Sequence, residues 1–380
     1  MTKKLVLEPS EARSSGALST GRRALLVTPK LTGNDGISNV STQVVNFIVA
    51  NSRYFPSLRV WSLADETCSW GSISIEGFSS AKWKLLSQAL TQGFAPSNDL
   101  VVFALHLRLS PLALPIVARG GKLVTFLHGV ESWRSLSLWQ RIAVQCSSYV
   151  IANSEHTKKK FLSFNPIFQE QDIRVCHLGI NARSPAVALD CEPVPFALIV
   201  GRMDAGEKYK GHDLLLESWP RLRSEVPGAR LLVVGDGSDL SRLRSKAVDL
   251  QLQDVVEFAG SVSDERLSAF YRNCAFFVMP SRGEGFGLVF LEAMRAGKPC
   301  IAAPGAAEEI ISHGVNGYIV DTLNPTGLCD CMKRLFQDST LRAQMGVVAS
   351  QRFRSYFTIE HFQQRLFSVL ACGKEQLCAE

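Results

Sequence analysis

From Arg23 onward the chain alternates short apolar runs with stretches of helical spacing, and after a proline-rich interruption the same alternation begins again. Apolar runs of four to eight residues bounded by turn signals read as buried strands, whereas apolar residues recurring every three to four positions read as helices. Strands are expected at 23–28, 58–63, 100–105, 123–127 and 149–152, with helices over 37–50 and 155–164. Residues 182–195 hold three prolines and no usable period. An interdomain linker is therefore placed at 183–195. Beyond it, strands are expected at 196–200, 230–234, 255–258 and 275–279, and helices over 211–223, 238–249, 264–273 and 288–296. This is the rhythm of parallel sheets with helices on their faces. The expected fold class is α/β, with two Rossmann-like doubly wound domains facing a central cleft. Residues 1–20 form a leader, 21–182 the first domain and 196–352 the second, and a last helix near 359–370 lies outside the second pattern. Ligands of such sheets bind beyond the carboxyl ends of the strands, so the loops that follow strands are where a site should lie.

A chain of 380 residues suits two cores better than one. No run reaches membrane-span length: the most apolar stretch, 100–118, is interrupted by His106, Arg108, Pro111 and Pro115. The first residues lack the apolar segment of a secretory signal, so a cytoplasmic chain is expected. Ten cysteines are scattered, and Cys329 and Cys331 are too close for a zinc knuckle; free thiols are expected. With no Asp-x-Asp triplet present, no essential metal or other cofactor is expected. Charge is uneven. Residues 1–190 carry 20 Lys and Arg against 12 Asp and Glu, and residues 191–380 carry 21 against 23. A basic first half suits peripheral contact with an anionic membrane such as the inner face of a plasma membrane. A merely solvated face is the competing reading. No aromatic interleaving of the basic clusters points to nucleic acid.

The chemistry gathers at Ser281–Glu292, where Glu284, Gly285, Phe286, Gly287 and Leu288 join a buried strand to a helix and Glu292 follows one turn inside it. The unpaired N–H groups of Phe286, Gly287 and Leu288 and the positive helix end make an anion site suited to a diphosphate. The two carboxylates suit vicinal hydroxyls, one those of a ribose and the other those of a sugar. Arg202 and Lys210 lie on the connection after the strand 196–200 and are placed to clamp a diphosphate from the opposite side. His128 ends the strand 123–127 and is read as a hydrogen-bonding partner for a sugar hydroxyl or as a group easing charge at the reacting carbon. Ser154 is read as a helix cap. Gly33-Asn34-Asp35-Gly36 opens a helix after the first strand. It is no dinucleotide fingerprint, and Gly235-Asp236-Gly237 is followed by Leu240 where a third glycine would be needed, so oxidoreduction is disfavoured.

Together with Gly201-Arg202-Met203-Asp204, Lys208-Tyr209-Lys210-Gly211-His212, Val233–Gly237, Phe258–Val262 and Gly305–Glu309, these motifs make the chain resemble the retaining GT-B glycosyltransferases of family four, the glycosyl transferase group one. The resemblance implies a GT-B fold whose C-terminal helix, within 355–372, crosses back onto the first domain. It implies that Arg202 and Lys210 bind the donor diphosphate, Glu292 the ribose and Glu284 the transferred sugar, with backbone contacts from Phe286, Gly287 and Leu288. It also implies a base pocket near Val262, His128 beside the donor sugar and Gly36 approaching the diphosphate. The implied reaction is metal-independent and retains configuration by front-face attack, the leaving phosphate taking the acceptor proton. Asp35 and Ala306 stand where relatives carry glycines. The expected donor is a nucleoside-diphosphate hexose, UDP-glucose as the simplest choice. The expected acceptor is a growing glycan or lipid-linked oligosaccharide of envelope or exopolysaccharide synthesis. The alternative is a glycosyltransferase-like subunit that binds sugar nucleotide without turning it over.

Overall fold

The computed structural model describes residues 20–33, 35–71, 73–93, 97–182 and 195–371. Most of the expected leader and linker, together with Asn34 of the first glycine turn, lie outside the described residues. Fourteen strands are described: β1 (Arg23–Thr28), β2 (Ser57–Ser62), β3 (Cys68–Trp70), β4 (Ile73–Gly77), β5 (Leu100–Ala104), β6 (Lys122–Leu127), β7 (Tyr149–Ala152) and β8 (Ile173–Val175), then β9 (Phe196–Val200), β10 (Arg230–Val234), β11 (Val256–Gly260), β12 (Phe276–Met279), β13 (Cys300–Ala302) and β14 (Gly317–Ile319). They form two sheets, ordered β3-β4-β2-β1-β5-β6-β7-β8 and β11-β10-β9-β12-β13-β14. All pairings are parallel except that of β3 with β4. Chain order reverses between β1 and β5 in one sheet and between β9 and β12 in the other. At these switch points the crossovers leave on opposite faces, and a crevice opens at the carboxyl edge.

Strands buried on both faces carry almost unbroken apolar sequence, as in Leu100–Ala104, where every residue is buried. Alternate residues of β1 serve opposite layers. Ala24 and Leu26 pack with the helix Gly36–Ala50 through Val40, Val44 and Phe47. Leu25 and Val27 pack with Leu85 and Ala89, Leu109 and Ala113, and Ala143, which come from three helical segments on the other face.

Several elements escape the sequence pattern. The first strand of the β3–β4 hairpin is three residues long and wholly exposed, and β4 buries only Ile75; β8, β13 and β14 are three residues each, too short to show alternation. The last helix, expected near 359–370, spans Ile359–Ala371, and a two-residue break separates it from the helix that ends at Tyr356. At the break, Ile180 N–H donates to the Phe357 carbonyl (3.0 Å) and Ile359 N–H to the Ile180 carbonyl (2.9 Å). A Cβ on Gly179 would stand 2.2 Å from the Thr358 carbonyl oxygen, so only glycine lets the two chains approach this closely. The helix Ile359–Ala371 then lies on the first sheet's side, where Tyr149 donates to the Leu370 carbonyl (3.2 Å) and Tyr54 meets Phe367 edge to face.

Of the cysteines described, Cys176, Cys274, Cys300 and Cys329 are buried free thiols, while Cys68 and Cys146 are free and exposed. Burial pushes Cys176 and Cys274 up to about 12, so neither is a thiolate at neutral pH.

Candidate active site

The switch point of the second sheet brings the loops after β9 and β12 side by side. Arg282 N–H donates to the Tyr209 carbonyl (2.9 Å). A Cβ on Gly283 would lie 2.6 Å from the Tyr209 ring, and one on Gly211 2.7 Å from the Pro280 carbonyl oxygen. This zipper sets Lys210 Nζ 3.1 Å from Glu284 Oε1, with Ser281 Oγ donating to the same oxygen at 3.1 Å. Both members of the ion pair are largely enclosed, at 17% side-chain exposure each. Arg202 stands at the mouth, 64% exposed and paired with Glu207. That partner raises its already high pKa; it is a permanent cation held by Glu207 through two nitrogens on an exposed surface. Gly287, with φ of +98°, precedes the helix Leu288–Arg295 without a side-chain cap. The backbone N–H groups of Phe286, Gly287 and Leu288 find no acceptor among the described residues. Two cations and an uncapped helix end thus surround one small region, an arrangement that favours a diphosphate.

Glu292 sits one turn inside that helix, half-buried. Burial pushes its carboxyl up, while Tyr271 and Arg295 beside it pull the other way. The buried Tyr271 hydroxyl stands beside this carboxylate, whose several lone pairs leave acceptor capacity for a further hydroxyl. Val262 lies past the end of β11, half-buried against the core. Two strand spacings, about 10 Å, separate β11 from β9, a span suited to a base at one end and a diphosphate at the other.

From the first sheet, the turn after β6 reaches across the cleft. His128 Nε2 bonds the Leu105 carbonyl oxygen (2.9 Å). A carbonyl only accepts, so Nε2 carries the proton and Nδ1 is left as an acceptor. Burial lowers the pKa of His128 and also that of His106, the latter to about 4. His128 is therefore neutral at pH 7, and its Nδ1 lone pair can accept a sugar hydroxyl. Glu131 accepts the N–H groups of His128 (2.6 Å) and Gly129 (3.2 Å) and fixes the turn. The two domains touch here, since a Cβ on Gly285 would fall 1.7 Å from the His128 carbonyl oxygen and 2.9 Å from Gly129 Cα.

Gly36 begins its helix at the cleft edge, but a Cβ there would meet nothing within 4 Å. The preceding Asp35 accepts the N–H groups of Ile37 and Ser38, both at 3.0 Å. That helix end is already neutralised by a carboxylate, and so is a poorer seat for a phosphate than the uncapped end at Gly287.

A second set of contacts, which the sequence did not single out as site residues, ties the domains together. Ser154 caps the helix Glu155–Phe164, accepting Thr157 N–H (2.9 Å), and also donates to the Gly285 carbonyl at 2.6 Å; Thr157 Oγ1 donates to the same oxygen (3.1 Å). From the second domain Glu309 accepts the N–H groups of Glu155 and His156, both at 2.9 Å, and bonds His177 Nε2 at 2.6 Å. His177 in turn stacks on Phe286, 5.7 Å between ring centres. Burial alone would raise the Glu309 carboxyl, but the bonds from His177 and the two N–H groups outweigh it and hold it low. Serine at a helix start signals only a cap; its second bond, to a residue 131 positions away, has no local signature.

Three enclosed histidines set an acid limit. His106 and His212 are lowered to about 4, and His128 is lowered as well. The unfolded chain binds protons at these positions from about pH 6.5 downward, whereas the folded chain resists until much lower pH, so stability falls as pH drops through that window. Glu309 has the opposite charge and the same sign: its lowered pKa gives stability above its unfolded value of 4.5 that is lost below it. The thermal midpoint is expected to fall steadily from pH 7 to pH 4 in a titrated melting series; a midpoint flat to pH 5 would contradict the histidine environments.

Among the described residues no cluster of three or more His, Cys, Asp or Glu is arranged to hold a metal ion, and no helix is long and apolar enough to cross a membrane.

Comparison with known proteins agrees with this architecture. The family described as "Glycosyl transferases group 1" matches residues 194–338, the half that holds the uncapped helix. A GDP-mannose-dependent alpha-(1-6)-phosphatidylinositol monomannoside mannosyltransferase of Mycobacterium tuberculosis is 36% identical over 37% of this chain and 39% of its own length. That stretch spans about two fifths of the relative. Its Mycolicibacterium smegmatis counterpart is 30% identical over 63% of this chain and 68% of its own. The crystal structure of Anabaena HepE in complex with UDP and glucose superimposes with a TM-score of 0.72 at 20% identity, covering 92% of this chain and 99% of that one. Two parallel-sheet domains meeting at a cleft, carrying the family's match across the second, make this chain a member of the group 1 glycosyltransferases, with the GT-B fold.

Proposed function

We propose that the protein is a retaining, metal-independent hexosyltransferase, moving a hexose from a nucleoside-diphosphate sugar to a hydroxyl of a growing glycan or a lipid-linked oligosaccharide. The observation that carries this reading is the uncapped helix end at Gly287 facing Arg202 and the Lys210–Glu284 pair. Negative charge that grows on the departing diphosphate meets two cations and three N–H donors that need no rearrangement, which is the arrangement that stabilises a transition state. Glu284, held by Lys210 and Ser281, is placed for the hydroxyls of the transferred hexose, and Glu292 for those of the ribose. His128 Nδ1 accepts a further sugar hydroxyl. The acceptor attacks from the face the leaving group vacates, and the leaving phosphate takes its proton, so no side chain of the site has to act as a nucleophile.

For the donor, the expectation of UDP-glucose meets two observations pointing different ways. Two mannosyltransferases, at 36% and 30% identity, are GDP-mannose-dependent, while the HepE complex at 20% contains UDP and glucose. The higher identity of the two mannosyltransferases favours GDP-mannose, with UDP-glucose the second reading. Calorimetric titration of GDP, UDP and ADP with chelator present, followed by hydrolysis of GDP-mannose and UDP-glucose, tests both the site and the base. Tight binding of one diphosphate without metal supports the reading; binding of none would sink it. Binding without hydrolysis or transfer would favour a subunit that only holds the sugar nucleotide.

Two substitutions separate the roles. Glu292→Ala is expected to weaken binding of the preferred diphosphate roughly 10- to 100-fold, the worth of hydrogen bonds to a charged group; unchanged affinity would remove Glu292 from the ribose. His128→Ala is expected to lower kcat about tenfold with diphosphate affinity intact, the mark of a contact to the sugar and not to the nucleotide.

A further inference from the structure

Three helical segments cover one face of the first sheet, and their outer surface is unlike the rest of the molecule. The helix Lys82–Gly93 turns Leu85 and Ala89 inward. It exposes Trp83 (83%), Leu86 and Leu90, which at spacings of three and four form a second stripe. The helix Leu138–Gln145 exposes Leu138 (66%) and Trp139 (64%). Between them runs the segment Leu107–Val117, whose Leu109, Ala113 and Ile116 share the same inner layer. Over 82–93, 107–119 and 134–145 the side chains include Lys82, Lys84, Arg108, Arg119, Arg134 and Arg141, all exposed, and not one carboxylate. The first half's excess of positive charge is therefore concentrated on a surface that also displays two tryptophans and three leucines.

We propose that this face docks on an anionic lipid bilayer. Tryptophan is suited to the headgroup level, where its ring is buried and its N–H stays wet. Exposed leucines enter the acyl boundary, and interspersed Lys and Arg meet lipid phosphates without a like-charged neighbour to repel them. Within these three segments the charge is of one sign only, which complements a surface that is uniformly negative. Placement supports the same occupant. Each of these helical segments follows a parallel strand, β4, β5 or β6, and so begins at the carboxyl edge of the sheet, the edge that faces the cleft. Trp83, Arg108, Leu138 and Trp139 lie at or near those beginnings. The bilayer would thus meet the rim of the acceptor-side domain. There a lipid-linked acceptor enters the cleft with its sugar leading and its chain still in the membrane. The use of the contact rests on the acceptor class proposed above; the contact itself does not.

The test is co-sedimentation of the full chain with vesicles of phosphatidylcholine alone and of phosphatidylcholine with phosphatidylglycerol, at low and high salt. The comparison variant carries Trp83→Ala together with Trp139→Ala, both exposed and outside the donor site. Binding is expected only with phosphatidylglycerol, to weaken at high salt, and to fall at least about tenfold in the double variant, with GDP and UDP affinity unchanged. Loss of nucleotide binding in both proteins would overturn the donor reading and leave the docking result standing. Equal binding to neutral vesicles, or undiminished binding by the double variant, would overturn the docking proposal. So would a dimer, seen by analytical ultracentrifugation, that the double variant dissolves, since a second copy would then be the occupant.

Discussion

Replacing Gly285 with alanine is expected to lower transfer by about 100-fold or more while each domain keeps its fold. The added methyl would have to occupy a point 1.7 Å from the His128 carbonyl oxygen, well inside van der Waals contact. That oxygen is held by Asn153 Nδ2 at 2.8 Å, and the turn beneath it by Glu131. The neighbour is backbone on a rigid strand end and not a side chain that can swing away. Relief must come from parting the domains by an ångström or more, which also pulls the Gly285 carbonyl from Ser154 and Thr157. Misplacement on that scale costs on the order of 100-fold in rate when reacting groups are supplied by opposite walls. The measurement is kcat with matched circular dichroism and denaturation midpoints. A variant with near-normal kcat would show that the domains do not meet in this way during turnover.

The second large effect is expected at Lys210. On the proposed reading Lys210→Ala takes a cation from the leaving diphosphate, and it strands Glu284, a largely enclosed carboxylate whose partners are Lys210 and Ser281. Losing one preorganised group that stabilises transition-state charge costs about 100- to 1,000-fold in kcat. The effect on diphosphate affinity should be smaller, because Arg202 and the three N–H groups remain. Lys210→Arg should recover part of the loss, since the charge is kept and only the geometry changes. A kcat/KM within tenfold of the original for Lys210→Ala would move the leaving-group charge onto Arg202 and the helix end alone.

Much of this architecture could be read along the chain because parallel strands buried on both sides announce themselves. Arg23–Thr28, Tyr149–Ala152, Phe196–Val200 and Arg230–Val234 lie where their apolar runs put them. The glycines after β12 were legible for a related reason: Gly283, Gly285 and Gly287 are glycines because backbone or rings press on them, whereas the zipper that sets Lys210 beside Glu284 was not, since the sequence put Lys210 on the side opposite the glycine turn. The hairpin Cys68–Gly77 was not legible, because its first strand is only three residues long and wholly exposed. Nor was the contact of Glu309 with Glu155, His156 and His177. It joins positions more than 130 residues apart, and each partner taken alone looks like an ordinary surface charge or cap. Gly36 shows the converse. A glycine at a helix start resembles a phosphate seat, yet the decisive residue is its neighbour Asp35, whose carboxylate already holds the helix N–H groups.

The Glu309 carboxylate also bears on how quickly the enzyme can let go of what it has made. Parting the two halves uncovers the start of the helix Glu155–Phe164, breaks the bond to His177 and unstacks that ring from Phe286. Each of these is a polar or aromatic contact that water can replace at modest net cost, so the gate yields but does not swing freely. Domain movements of this kind run on microsecond to millisecond timescales, and a gate of this strength makes escape of the spent nucleotide a natural slow step. Added viscosogen would then slow kcat, whereas Glu309→Gln, with its grip on those N–H groups loosened, would turn over with less sensitivity to the medium.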